Sequence, residues 1–182
     1  WGHARPQTVN KAPLKTATPF DQSHVTLGFS VFEGLATATH VDAGDEPRAL
    51  EIADINEDGR PEIITGDYQG AKVLIFTESG DRVLELKASL DVTMHPARIL
   101  VQDVDSDYRA DIVVAAQPAS TIVIDVLTAM TEPFRFNPVD TYPGNLGVIE
   151  GMAYGDVDGD ALADIVVSHS YFSGASVFRG QD

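Results

Sequence analysis

Asp54, Asn56, Asp58 and Glu62 stand at positions 1, 3, 5 and 9 of a short run that ends in the β-branched pair Ile63-Ile64. The spacing returns as Asp103, Asp105, Asp107 and Asp111 before Ile112-Val113, and again as Asp156, Asp158, Asp160 and Asp164 before Ile165-Val166. Oxygen donors on alternate residues of a tight turn converge on one centre, and a hard cation is what such a centre suits. Calcium accepts roughly six to eight oxygens in a tolerant geometry. Asp and Asn favour turns on their own account, so one copy is within reach of chance. Three concerted copies, each with its position-9 acid, read as a device.

The charge balance agrees. The chain carries 28 acids against 12 Lys and Arg, a net −16 over 182 residues, and eleven of those acids are the ligand candidates. Three divalent cations bring six positive charges, which takes −16 to −10. Without them the loops repel themselves, so the metal is expected to contribute to stability. Such acidity excludes nucleic acid and anionic membrane as partners, both of which call for a basic surface. With no cysteine, disulfides, thiolate zinc sites and cysteine nucleophiles drop out. Calcium loops point to a secreted or cell-surface setting, where sites as weak as roughly 10⁻⁴ to 10⁻³ M still fill. The chain opens on Trp1, which reads as a processed or excised piece, and no apolar run approaches the roughly 20 residues of a membrane span.

The elements that position these residues recur with them. The first acids of the three loops are 49 and 53 residues apart, a period typical of repeat arrays. An apolar strand is expected to enter each loop at 49–55, 99–104 and 151–157, and a second to leave it at 62–65, 111–115 and 164–168. A third follows a Gly-, Pro- or Ser-containing turn at 72–76, 121–126 and 175–178. A fourth is expected at 82–86 and 134–137, with none in the last repeat. Short strands bounded by turn residues, and no credible long helix, make the chain all-β. Residues 1–24 carry Arg5, Lys11 and Lys15 against Asp21, with three spaced prolines, and read as an extended basic arm. Residues 25–33 read as a further strand.

Four strands per unit of about 50 residues is the blade of a β-propeller. The loops with their trailing apolar pairs resemble FG-GAP/VCBS repeats, the blades of the integrin α-chain head and of many secreted bacterial proteins. The resemblance covers 41–182 and implies blades at about 41–90, 91–143 and 144–182, within a repeat domain at 25–182. It also implies a calcium ion in the hairpin of each blade, held at positions 1, 3, 5 and 9 and by the backbone carbonyl at position 7. Carried over, the sets are Asp54, Asn56, Asp58, the Arg60 carbonyl and Glu62; Asp103, Asp105, Asp107, the Arg109 carbonyl and Asp111; and Asp156, Asp158, Asp160, the Leu162 carbonyl and Asp164. Position 6 is Gly59 in the first loop but Tyr108 and Ala161 in the others, where a left-handed backbone is costly. Glu62 replaces an Asp, with a longer reach. Three sites of unequal affinity are therefore expected, the second the weakest. An EF-hand would need a bidentate Glu at position 12 and flanking helices; position 12 is Thr65, Val114 and Val167 here, and the flanks are strand-like.

Nothing compels catalysis. His3, His24, His40, His95 and His169 are scattered, Ser168-His169-Ser170 closes a strand, and there is no nucleophile elbow or phosphate loop. Tyr68, Tyr108, Tyr142, Tyr154, Tyr171 and Phe172 fall near turns, where rings stack on sugars or pack between blades. The expectation is a non-catalytic, calcium-binding structural, assembly or adhesion module, with a carbohydrate-binding lectin or a non-catalytic part of a larger secreted enzyme as alternatives. Its partner is another protein or copies of itself, with a glycan also open. Three blades are fewer than the usual four to eight. Closure would come from a longer protein, from several copies in a ring or filament, or from 25–33 completing the last blade.

Overall fold

In the first acidic unit the chain runs back and forth four times before it moves on. The computed structural model describes residues 40–182 apart from 80–82, 118, 171–173 and 182. The basic arm at 1–24 and the strand at 25–33 lie outside the described residues, as do Tyr171 and Phe172. Eleven strands and no helix are present among the described residues, so the fold is all-β.

β1 (Pro47–Ala53), β2 (Glu62–Asp67), β3 (Lys72–Glu78) and β4 (Leu84–Asp91) form an antiparallel sheet in chain order. β5 (Pro96–Gln102), β6 (Asp111–Ala116), β7 (Thr121–Leu127) and β8 (Asp140–Leu146) form a second. β9 (Val148–Gly155), β10 (Asp164–Ser170) and β11 (Gly174–Phe178) form a third, of three strands. Each acidic run is the hairpin between the first two strands of its sheet. No helix among the described residues is long and apolar enough to cross a membrane.

One expected strand falls elsewhere. The fourth strand of the second repeat was expected at 134–137, and β8 instead runs from Asp140 to Leu146, across the boundary expected at 143/144. Residues 128–137 make their own tight hairpin, with Ala129 bridged to Phe136 and the Asn137 amide donating to the Thr128 carbonyl at 2.9 Å. The Pro143-Gly144 pair inside β8 reads as a turn, but β8 is an edge strand, where a residue without an N–H is tolerated. Gly144 also has a packing reason: a Cβ there would sit 2.8 Å from the Phe178 ring.

The sheets stack in series, and pleating explains how. On β6 alternate residues point to opposite faces. Ile112 and Val114 join Ile64, Val73 and Ile75 of the first sheet in one apolar cluster. Val113 and Ala115 join Ile165 and Val167 of the third sheet in another. With both faces covered, β6 is buried along its whole length and reads as an unbroken apolar run. At the end remote from the acidic loop, Tyr68 stacks on His95 at 4.6 Å between ring centres, and the Arg48 guanidinium lies 3.8 Å over the same Tyr68 ring. That turn aromatic therefore packs between sheets.

Positions 4 and 6 of every acidic loop have left-handed backbone: Glu57 and Gly59, Ser106 and Tyr108, Gly159 and Ala161. Ala161 has φ 72° and Tyr108 φ 68°, conformations in which a Cβ costs roughly 1–2 kcal/mol. Part of that is offset by the extra freedom glycine brings to the unfolded chain. Ala161→Gly should therefore stabilise the protein by about 0.5 kcal/mol. Gly59→Ala, at φ 86°, should destabilise it by about 1 kcal/mol. Paired urea melts read both.

Candidate metal-binding loops

The three hairpins are wired alike, from the side chains inward to the backbone. In the first loop Asp54 accepts the Asp58 and Gly59 amides at 3.1 and 2.8 Å, and Asn56 accepts the Asp58 amide at 2.9 Å. Asp58 accepts the Arg60 amide at 2.9 Å, and Glu62 reaches back to the Ile55 amide at 3.0 Å. The second loop repeats this with Asp103 on the Asp107 and Tyr108 amides, Asp105 on Asp107, Asp107 on Arg109 and Asp111 on Val104. In the third, Asp156 takes the Gly159 and Ala161 amides, Asp158 takes Asp160, Asp160 takes Leu162 and Asp164 takes Val157. Amides donated inward by a left-handed turn curl the chain around its own carboxylates.

The position-9 acid is the anchor. Glu62, Asp111 and Asp164 are 2%, 0% and 0% exposed, at the base of loops whose other ligand candidates are half-buried or exposed. The second oxygen of Asp111 accepts the Ala129 amide at 2.7 Å, and that of Asp164 accepts the Gly180 amide at 3.0 Å. Each ties the loop to the chain just beyond the third strand of its sheet. Arg179 and Gly180 thus serve the loop: Gly180 caps Asp164 and Arg179 pairs with Asp158. Arg109 pairs with Asp107 in the same manner.

Asp103, Asp105 and Asp111 each bring one carboxylate oxygen within 4.8 Å of the others, and Asp156, Asp158 and Asp160 do the same. Oxygens bound to one calcium at roughly 2.3–2.6 Å lie no more than about 5 Å apart. The donor set is all hard oxygen, without imidazole or thiolate, and it fits an alkaline-earth ion. At position 7 the amides of Arg60, Arg109 and Leu162 are held by the position-5 acid.

Burial pushes the Glu62 and Asp111 carboxyls up, helped by the neighbouring loop acids and opposed by the backbone amides they accept. Asp156 is held below its ordinary range by the Gly159 and Ala161 amides. A raised folded value means the folded state takes up the proton more readily. For Glu62 and Asp111 the linked stability is complete below the ordinary values of 4.5 and 3.8, and is lost as pH rises through the raised ones. For Asp156 the linked stability is present above 3.8 and lost as pH falls through the lowered value. In chelator, mild acidification from neutral should therefore raise the melting temperature through Glu62 and Asp111. In calcium the same change should lower it, because protons compete with the ion. The quantity to compare is the wild-type trend against Glu62→Gln, which removes one of the two groups.

The loops share one rim. The Tyr154 hydroxyl donates to the Asp103 carbonyl at 3.0 Å, joining the third sheet to the second loop. A cleft runs between Asp103, Ser106, Asp156 and Leu162, and another joins Asn56 and Glu57 to Arg109. Tyr108 and Tyr142 are exposed. His169 meets Ser176 at 3.3 Å rather than either neighbour in Ser168-His169-Ser170. Sequence reasoning missed Asp125, fully buried in β7, which accepts the Thr93 amide and hydroxyl at 2.7 and 2.8 Å and the Thr141 hydroxyl at 2.9 Å. The signal was a lone acid inside the β-branched run Thr121–Leu127.

No family model matches the chain. Cartilage acidic protein 1 of Xenopus tropicalis is similar, 27% identical over 169 residues, covering 85% of this chain and 26% of that protein. The chain thus spans about a quarter of that relative's length.

Proposed function

We propose that the chain is a calcium-stabilised, propeller-type module of the FG-GAP/VCBS kind, acting outside the cell as a non-catalytic structural or adhesion element. The observation that carries this reading is the threefold recurrence of one wiring scheme, with a buried acid at position 9 and half-buried to exposed oxygens above it. Asp54, Asn56, Asp58 and Glu62, and their counterparts in the other loops, would hold the ions with the Arg60, Arg109 and Leu162 carbonyls. Bound calcium would neutralise the carboxylates and lock each hairpin. Four-stranded meanders stacked face to face support the propeller reading. The extracellular assignment draws on the relative whose name places it in cartilage and calls it acidic.

Asp156→Ala tests the metal role. It removes an exposed oxygen and two loop hydrogen bonds. The melting temperature should fall by several degrees more in calcium than in chelator. Equal losses under both conditions would reduce Asp156 to a turn residue.

A further inference from the structure

We propose that Arg109 is a built-in competitor for the cation at the second acidic loop, a reading that rests on the metal role proposed above. Asp107, the position-5 acid of that loop, is engaged on both oxygens by residue 109. One oxygen accepts the Arg109 amide at 2.8 Å, and the other pairs with the Arg109 guanidinium. Both side chains are half-buried. The guanidinium has a second tether, since its Nε donates to the Ala129 carbonyl at 3.4 Å. The Ala129 amide in turn donates to Asp111 at 2.7 Å, so the arginine is fixed to the same strut as the loop's buried acid.

The third loop is the comparison within the chain. Its position-5 acid, Asp160, accepts the Leu162 amide at 2.9 Å in the same way, but position 7 there carries no charge. Asp160 brings an oxygen within 4.8 Å of Asp156 and Asp158, whereas in the second loop Asp103, Asp105 and Asp111 converge and Asp107 is left out. An ion pair alone does not have this effect, because Asp158 pairs with Arg179 and stays in its group. Arg179 has no second hydrogen-bond partner among the described residues, and its side chain is 54% exposed against 37% for Arg109. Arg60, at position 7 of the first loop, is exposed and pairs with no acid among the described residues. Arg109 is thus the arginine that is both paired and tethered.

For Asp107 to act as a ligand, the guanidinium must give up its oxygen, and a fixed positive charge beside the loop opposes the entry of a divalent ion. The released side chain has room. It borders a cleft that also meets Asn56 and Glu57 of the first loop, and Glu57 is an exposed acid outside the ligand set. The second hairpin therefore has two closed arrangements, one held by arginine and one held by the cation. The first relieves part of the carboxylate repulsion when calcium is scarce, and it weakens the site by the work of displacing the arginine.

Calcium titration of the metal-stripped full chain, followed by NMR at the Gly59, Tyr108 and Gly159 amides, reads the three loops separately. Arg109→Gln should tighten the second site by about tenfold, the scale of one nearby charge and one half-buried pair. The first and third sites should stay within about twofold, as should the first site in Arg60→Gln, where the charge is screened by solvent. Arg109→Lys keeps the charge and should stay near the wild type. In chelator Arg109→Gln should melt below the wild type, and in millimolar calcium the gap should close. A second site unchanged or weakened by Arg109→Gln, in a wild type that fills all three loops, overturns the proposal and leaves the metal reading standing. Equal losses of melting temperature in both buffers overturn it too, and would make Arg109 a structural tie. No shift at any of the three amides in either protein overturns the metal reading and this proposal with it.

Discussion

Asp111→Ala should lower stability by about 4 kcal/mol in calcium and about 2 kcal/mol in chelator. Asp111 is fully buried and accepts the Val104 and Ala129 amides, so truncation orphans two buried donors. Hydrogen bonds to a charged acceptor are worth roughly 1.5–3 kcal/mol each. In chelator part of that loss is returned, because burial and the Asp105 and Asp107 charges disfavour the ionised carboxyl. In calcium nothing is returned, and the ion's contribution at that loop is lost as well. At roughly 2–4 °C per kcal/mol for a chain of this size, melting should fall by about 10 °C in calcium. Asp111→Asn separates the parts: it keeps the volume and one acceptor oxygen but turns an NH₂ towards an amide or the ion. Its loss should be small in chelator and close to that of alanine in calcium. Equal losses for both variants in both buffers would make Asp111 a hydrogen-bond anchor and nothing more.

Removing calcium from the wild type should be as severe. A site with a dissociation constant near 10⁻⁴ M in millimolar calcium stabilises by roughly 1.4 kcal/mol, so three give about 4 kcal/mol. The net −16 adds to this, since six positive charges leave with the ions and the loops on one rim face one another uncompensated. Chelation should lower the melting temperature by roughly 10 °C. High salt should recover part of the loss by screening, but not the part that depends on the coordinated loop. Magnesium should rescue less than calcium, because it demands a tighter octahedron and gives up its water reluctantly.

Much of this was legible in the chain because two periodic signals coincide. The acids at alternate positions mark each hairpin, and the β-branched pair after each position-9 acid marks the strand that leaves it. β2, β6 and β10 each begin at that acid, Glu62, Asp111 and Asp164. The fourth strands were harder to place. Edge strands are less constrained by packing, so β8 can carry Pro143 and Gly144, the residues that signal a turn elsewhere. Residues 127–129 continue as strand and bridge, with Leu127 in the core and the Ala129 amide on Asp111. Long-range partners were invisible. Nothing local announces that the Gly180 amide caps Asp164, that Tyr154 reaches the Asp103 carbonyl, or that Asp125 gathers Thr93 and Thr141. These bonds join residues 16 or more apart in sequence, brought together by strand pairing within a sheet, as for Asp125 and Thr141, or by the stacking of sheets, as for Tyr154 and Asp103.

Isothermal titration of the metal-stripped chain with calcium addresses the central claim most directly. The expected result is saturable binding of three ions per chain with unequal affinities, the weakest lost first on dilution, and two ions for Asp156→Ala. Heats no larger than those of dilution up to millimolar calcium, with the sheets still folded by circular dichroism, would contradict it and leave the three hairpins as acidic turns.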